Sequence, residues 1–246
     1  MDDQLVVIFG GTGDLARKKL LPALRKLYDQ GIDQPVLLVG RSNSDIHEYI
    51  QDMGIEDYED SFLDNLYYLS LDVKTGDPED LRSKVESVSN EYEIDTNYAF
   101  YLALPYFLFT YTSSLIQDAG LDTDSSKIAF EKPFGKNLET AQRINQEIDG
   151  FSEKQIFRVD HYLGKELVEN ILTLRFSNPL FQKIWDTESV KNVQITMAED
   201  MGVDGRTGYY DEAGAIKDVF QNHLLQVLSL TAMKQPDSSD RRRRKG

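Results

Sequence analysis

Four side chains with complementary chemistry lie close together in the stretch FRVDHYLGKELVE, from Phe157 to Glu169. A carboxylate (Asp160), an imidazole (His161), a phenol (Tyr162) and an ammonium group (Lys165) follow an apolar run that has the pattern of a strand. Lys165 opens a helical pattern, and the unpaired N–H groups at a helix start favour an anion. Because adjacent strand residues point to opposite faces, Asp160 and His161 can hold different parts of one ligand, or different partners, only if the strand ends there. The segment predicts a binding site for an anionic group.

The whole chain is acidic, so a local group of basic side chains indicates where an anion binds. The formal net charge is −15, and such a surface repels nucleic acid, anionic lipid and phosphorylated small molecules at long range. Neither nucleic acid nor membrane is therefore expected as a partner, and a phosphate site must be built from nearby cations. The basic run RRRRK, from Arg241 to Lys245, predicts a disordered tail, with a nucleic-acid or targeting patch as the alternative.

Composition excludes several other classes of site. The chain has no cysteine, so disulfides, thiolate catalysis and cysteine-ligated metals are excluded. Its N-terminus lacks the pattern of a signal peptide, and no stretch approaches the ~20 apolar residues of a membrane span. These features predict a cytoplasmic protein.

A glycine-rich turn follows the first strand-like run. In VVIFGGTGDLARKK the pattern is G-x-x-G-x-L, with Gly10 and Gly13 as its anchors. Glycines allow a tight turn and close approach to a pyrophosphate, and the following helix start contributes N–H groups. A glycine-rich turn without a ligand is the alternative. The predicted cofactor-binding residues of this turn are Gly10, Gly11, Thr12, Gly13, Asp14 and Leu15.

The end of the second strand-like run bears on the choice of cofactor. Proteins that prefer NAD usually place an acidic residue there, whereas this run ends with Arg41 and Ser42. An arginine suits a 2′-phosphate, so NADP is the predicted cofactor, with a solvated arginine as the alternative. Asp72 and Val73, at the end of the third strand-like run, are predicted to line the adenine pocket.

Lys132, in the sequence FEKPFG, is a third candidate ligand-binding position at the end of a strand-like run. Open α/β sheets bind ligands at the carboxyl ends of their strands. A lysine before proline is held extended, and a cis bond to Pro133 would aim its ammonium group into the crevice. Lys132 is predicted to contact the ligands, with a surface lysine in a turn as the alternative.

Strand-like runs alternate with helical patterns through the first two-thirds of the chain. This order predicts a doubly wound, Rossmann-like parallel sheet of the α/β class, in a cofactor domain of residues 1–160. The predicted strands are Leu5–Gly10, Pro35–Gly40, Leu66–Val73, Tyr98–Pro105, Lys127–Phe134 and Gln155–Leu163.

The alternation stops near residue 160, which predicts a second domain of residues 161–235 and a tail of residues 236–246. Patterns there predict a helix from Lys165 to Phe176, a strand from Val190 to Asp200 and a helix from Asp211 to Met233. Because one strand cannot make a sheet, this α+β domain is predicted to be incomplete by itself.

Seven motifs in this order resemble the glucose-6-phosphate dehydrogenase family. They are GGTGDLARKKLLPAL, GRS, YLALP, EKPFG, RVDHYLGKE, GYYDEAG and DVFQNHLLQ, and the resemblance covers Leu5 to about Met233. DHYLGKE and the GYYDEAG…QNH pair are highly specific, whereas EKP also occurs in dehydrogenases of the glucose–fructose-oxidoreductase type.

The resemblance implies oxidation of glucose 6-phosphate at C1 to the lactone, with hydride transfer to NADP⁺, the first step of the oxidative pentose phosphate pathway. It implies that His223 is the base, that Asp160 pairs with it, and that no metal takes part. Lys132 would sit between substrate and nicotinamide. The substrate-binding residues implied are Lys132, His161, Tyr162, Lys165, Glu199, Asp218 and Asn222.

Two further features bear on this assignment. Asp218 and His223 are five residues apart, which is about 140° around an α-helix, so the predicted pocket would have to wrap the helix. The family's chains are also longer, and the pattern is expected to be lost after Pro236, as in a truncation or a reading-frame change. The family is homo-oligomeric, an assembly that is doubtful without the rest of the second domain.

Two alternatives to the enzyme therefore stay open. One is a cofactor-binding fragment that cannot turn over, because its substrate domain is incomplete. The other is a related sugar dehydrogenase of the glucose–fructose-oxidoreductase type, against which the DHYLGKE motif argues.

Overall fold

The computed structural model describes residues 3–42, 45–55, 58, 60–148, 150–198, 211 and 214–236. The chain divides into two compact units, Met1–Val159 and Asp160–Gly246.

The first unit is built on a parallel sheet of six strands in the order β3-β2-β1-β4-β5-β6. This order reverses direction at β1, as in doubly wound dinucleotide-binding sheets, and confirms the predicted Rossmann-like α/β fold. Five of the six strands end earlier than predicted, whereas β2 ends at Gly40 as predicted. The strands are β1 (Leu5–Phe9), β2 (Val36–Gly40), β3 (Leu66–Ser70), β4 (Tyr98–Leu102), β5 (Lys127–Phe130) and β6 (Ile156–Arg158).

Helices connect the strands of this unit. A π-helical segment, Ala16–Leu20, leads into α1, and a 3₁₀ turn, Tyr106–Leu108, leads into α5. Short helices α2 and α3 lie between β2 and β3. The helices are α1 (Leu21–Asp29), α2 (Ile46–Met53), α3 (Asp60–Leu63), α4 (Pro78–Glu91), α5 (Phe109–Asp118) and α6 (Leu138–Glu147).

The sheet is buried on both faces, which explains why its strands are apolar nearly throughout. Along β1, Val7 and Phe9 belong to one hydrophobic cluster and Ile8 to another. Alternate side chains of a strand point to opposite faces, so the two clusters are the two layers of the core.

The second unit is helical in its described residues. It contains α7 (Glu166–Phe176), α8 (Pro179–Ile184), a π-helix (Ile216–Leu224) and α9 (Leu225–Ala232). The strand predicted from Val190 to Asp200 is wrong for residues 190–198, which form neither strand nor helix. A strand needs a neighbour to satisfy its backbone groups, and none of this unit's described residues forms one. In the described part of the chain, no helix is both long and apolar enough to cross a membrane.

Candidate active site

The centre of the candidate site is a carboxylate–imidazole pair in the second unit. Asp160 Oδ1 lies 2.7 Å from His223 Nδ1, although the two residues are 63 positions apart in the chain. The same oxygen accepts the backbone N–H of Tyr162 at 2.9 Å, which fixes the carboxylate. Because a carboxylate only accepts hydrogen bonds, Nδ1 carries the proton and Nε2 is the basic nitrogen of the ring. His223 is 1% exposed, so the pair is formed out of water.

Aromatic packing holds the imidazole from the side. The ring of Tyr162 stacks on His223 with centroids 4.1 Å apart and planes at 27°. The ammonium group of Lys165 lies 3.5 Å from the centroid of the Tyr162 ring, a close cation–π contact. His161 meets the His223 ring edge-on at 4.8 Å. Tyr162 is only 4% exposed, so much of its ring serves to hold the histidine.

The π-helix resolves the angular problem posed by the sequence. In an α-helix, residues 218 and 223 would face different directions, but a π-helix bonds residue i to residue i+5 and stacks them on one side. Asp218 and His223 are both buried, at 7% and 1% exposure. The side chain of Asn222 lies against the backbone of its own helix, with its amide nitrogen 3.5 Å from the carbonyl oxygen of Asp218. The expectation of α-helical spacing at these residues is therefore wrong, and no wrapped pocket is needed.

A buried arginine and a tryptophan secure the far end of the helix that carries His223. Arg175 donates to the carbonyl oxygens of Leu230 and Met233, the latter at 2.7 Å, and Trp185 Nε1 donates to that of Thr231 at 3.0 Å. These carbonyl oxygens lie at the end of α9, where a helix has no further backbone N–H groups to bond them. Burial lowers the pKa of the Arg175 guanidinium. Sequence reasoning missed both residues, because neither lies in a motif.

In the first unit, the glycine turn has the close backbone approaches that a dinucleotide site needs. Gly10 has φ +85°, and a Cβ there would lie 2.4 Å from the carbonyl oxygen of Ala103. A Cβ on Gly11 would lie 2.9 Å from Cβ of Leu38. A side chain is thus excluded at Gly10 and at Gly11, and this close backbone packing fits the predicted pyrophosphate site.

The other residues predicted for the turn are placed differently. Asp14 forms an exposed ion pair with Lys18 at 3.0 Å, and the hydrogen bond from Lys18 lowers the pKa of Asp14. Thr12 and Gly13 are exposed, whereas Leu15 is half-buried.

Two stacked tyrosines hydrogen-bond to the backbone of two predicted cofactor-binding segments, the glycine turn and the segment after β2. Tyr49 donates its hydroxyl to the carbonyl oxygen of Gly11 at 2.8 Å, and Tyr68 donates to that of Ser42 at 2.9 Å. Their rings stack with centroids 5.3 Å apart. Burial raises the pKa of both phenols. One stack thus connects the glycine turn to the Arg41–Ser42 segment. Sequence reasoning missed it, since a tyrosine on a helix or strand gives no motif signal.

The remaining predicted residues of the first unit lie after β3 and β5. Asp72 accepts the N–H of Lys74 at 2.8 Å and so shapes the turn after β3, where Val73 is half-buried. The Lys132–Pro133 bond is cis, and Lys132 itself is half-buried. Since the strands are parallel, these turns and the glycine turn open on the same edge of the sheet.

Comparison with known proteins identifies the family of this chain. A sequence model described as "Glucose-6-phosphate dehydrogenase, NAD binding domain" matches residues 7–170, more than half of the chain. One described as "Glucose-6-phosphate dehydrogenase, C-terminal domain" matches residues 172–244. The chain belongs to the glucose-6-phosphate dehydrogenase family. The resemblance seen in the motifs is confirmed. The second match runs on to residue 244, whereas curated relatives match 94–95% of the chain, so the loss of the family pattern after about Pro236 stays a prediction.

Individual members of the family are similar over nearly the whole chain. The glucose-6-phosphate 1-dehydrogenase of Bacillus subtilis is 38% identical over an alignment of 245 residues, gaps included, that covers 94% of this chain and 50% of that protein. A solved "Glucose-6-phosphate dehydrogenase in complex with its substrate glucose-6-phosphate" has a TM-score of 0.87 at 35% identity, over 97% of this chain and 53% of the other. The structure of glucose-6-phosphate 1-dehydrogenase from Mycobacterium avium has a TM-score of 0.82 at 38% identity, over 96% and 54%. The chain spans about half the length of the curated relatives it matches.

Within this family member, the structure groups the predicted site residues in two sets. The second unit brings Asp160, His161, Tyr162 and Lys165 around His223, with Asp218 on the same helix as that histidine. The first unit carries the predicted cofactor residues and Lys132. Glu199 lies outside the described residues.

Proposed function

We propose that this chain carries the cofactor-binding and proton-transfer machinery of a glucose-6-phosphate dehydrogenase that uses NADP⁺. Residues 1–160 form the cofactor domain, and residues 161–235 begin the domain for the sugar phosphate. The observation that carries the proposal is the buried pair of Asp160 and His223, 2.7 Å apart, on the two motifs most specific to the family.

Geometry supports a role for His223 as the base. Its Nε2 takes the proton of the C1 hydroxyl while the hydride leaves C1, and the product is the lactone. The imidazolium formed in this step is stabilised by Asp160 through the Nδ1–H bond. When bound, the nicotinamide cofactor supplies the hydride acceptor. Stacking by Tyr162 keeps the ring from turning, so that Nε2 keeps its direction.

Charge supports the assignment of the phosphate and cofactor residues. His161 and Lys165 are exposed beside the dyad in an acidic protein, and the His161 ring and the Lys165 ammonium group bind the substrate phosphate. Tyr162, Lys132, Asp218, Asn222 and Glu199 complete the substrate site in this proposal. Arg41 and Ser42, exposed at the end of β2, bind the 2′-phosphate of NADP⁺.

The dyad is tested by Asp160→Asn. A charge-assisted hydrogen bond contributes about 1.5–3 kcal/mol, so kcat is expected to fall about 10- to 150-fold in an NADPH-absorbance assay. Asp186→Asn is the matched control, since that exposed carboxylate of the second unit accepts backbone N–H bonds from Glu188 and Ser189. Equal rates in all three proteins would refute the role of Asp160.

Substrate and cofactor are tested in the same assay. NADPH should form with glucose 6-phosphate and not with glucose alone; equal rates with both would refute the phosphate site. If NADP⁺ binds by calorimetry without turnover, the chain is a cofactor-binding unit that needs further sequence for catalysis.

A further inference from the structure

The residues around the dyad include a set of ligands suited to a transition metal. Asp160, His161 and His223 each offer a ligand atom, and the three atoms lie within 4.8 Å of one another. Two imidazoles with one carboxylate form the ligand set of several zinc sites, in which water or substrate completes the coordination. His161 is exposed and His223 is buried, so the cluster has one open side.

We propose that Asp160, His161 and His223 bind Zn²⁺ or a similar transition-metal cation, and that this ion blocks proton transfer. The binding of the ion is inferred from the geometry of the cluster. The block of proton transfer rests on the proposed function. The role is inhibitory, since the metal uses the same nitrogen and oxygen that make the dyad.

Metal binding requires only small shifts of the three ligand atoms. Bonds of about 2.0–2.1 Å in a tetrahedral site place ligand atoms roughly 3.4 Å apart. The present separations, from the 2.7 Å of the dyad up to 4.8 Å, bracket that distance. On binding, Nδ1 of His223 loses its proton to solvent and forms the bond to the metal, while a carboxylate oxygen of Asp160 and a ring nitrogen of His161 form two more. The fourth position is left to water.

The ligand types also predict which cations bind. Imidazole suits Zn²⁺, Co²⁺ and Cu²⁺, whereas Mg²⁺ and Ca²⁺ prefer sites made of oxygen atoms alone. The chain has no cysteine and three histidines, two of which lie in this cluster. The third, His47, lies in α2 of the first unit and supplies a matched control.

Titration of the purified chain with Zn²⁺ by calorimetry, and with Co²⁺ by visible absorption, tests the site. One ion per chain is expected, with the intense visible absorption of tetrahedral Co²⁺ and no binding of Mg²⁺. His161→Gln should weaken Zn²⁺ binding at least about 100-fold, because it removes a ligand on an exposed position. His47→Gln should leave the affinity within twofold of wild type. Equal affinities for the wild type and His161→Gln, or no binding below about 1 mM, would overturn the site.

Activity separates this inference from the proposed function. Inhibition by Zn²⁺ should be competitive with glucose 6-phosphate and reversed by a chelator. Binding of Co²⁺ that needs His161, in a protein without turnover, would support the metal site and count against the function. Turnover that Zn²⁺ does not affect would refute the inhibitory role and leave the function standing.

Discussion

Tyr49→Phe tests whether the tyrosine stack supports the glycine turn. The hydroxyl of Tyr49, in a side chain that is 1% exposed, donates to the carbonyl oxygen of Gly11 at 2.8 Å. Gly11 is itself buried, so the substitution leaves a carbonyl oxygen with no water to replace its partner. An unsatisfied buried acceptor costs about 1–3 kcal/mol, and we expect the free energy of unfolding to fall by about 2 kcal/mol at pH 8.

The loss of stability in Tyr49→Phe depends on pH, because the hydroxyl of Tyr49 is ionisable. Burial, with a smaller contribution from Tyr68, raises the pKa of Tyr49 above the ordinary tyrosine value of 10.0. The folded protein therefore keeps a proton that the unfolded chain releases near pH 10, and this contribution to stability is complete below pH 10 and declines above it. At pH 11, ionisation stabilises the unfolded chain by about 1.4 kcal/mol per tyrosine of this kind. The difference between wild type and Tyr49→Phe should therefore shrink from about 2 to about 0.6 kcal/mol.

Urea unfolding followed by circular dichroism at pH 8 and pH 11 measures both quantities. Other groups that titrate in this range affect both proteins equally and cancel in the difference. Tyr111→Phe is the control, because that side chain is 49% exposed, and it should change the free energy of unfolding by less than about 0.5 kcal/mol. A difference in the free energy of unfolding between wild type and Tyr49→Phe that stays constant from pH 8 to pH 11 would refute the reasoning.

Two further predictions concern arginines. Arg175→Met removes both side-chain bonds at the end of α9 and should cost about 2–4 kcal/mol, seen as a lower urea midpoint in the fluorescence of Trp185, the single tryptophan. Arg143→Met, at an exposed ion pair, is its control, and an equal midpoint shift in both variants would contradict the structural role of Arg175. Arg41→Ala should weaken NADP⁺ binding at least about 10-fold by calorimetry and leave NAD⁺ within twofold, since charged hydrogen bonds contribute about 1.5–3 kcal/mol. Equal weakening of both cofactors would show that Arg41 does not contact the 2′-phosphate.

The sequence by itself determined the class of the first unit and the position of its turns. Alternating apolar runs and helical patterns predict a doubly wound sheet, because a parallel strand buried on both faces must be apolar and needs a crossover helix. The glycines after β1 indicate a tight turn, and Gly10 adopts the positive φ of +85° that glycine allows in such a turn. Such features are local, and local patterns can be read from the chain.

The sequence was less informative where a feature depends on distant partners. The apolar pattern of residues 190–198 predicts a strand, yet a strand forms only where another supplies its hydrogen bonds. The tyrosine stack was missed for the same reason, because Tyr49 and Tyr68 have a role only once α2 and β3 bring them together.

Only the tertiary structure decided the geometry of the candidate active site. The motifs marked Asp160 and His223, but the 2.7 Å contact between them depends on packing across 63 residues. The π-helix could not be read from the pattern either, since periodicity assumes about 100° per residue and this segment departs from it. That departure places Asp218 and His223 on one side of the helix, because hydrogen bonding from residue i to i+5 stacks residues that an α-helix separates.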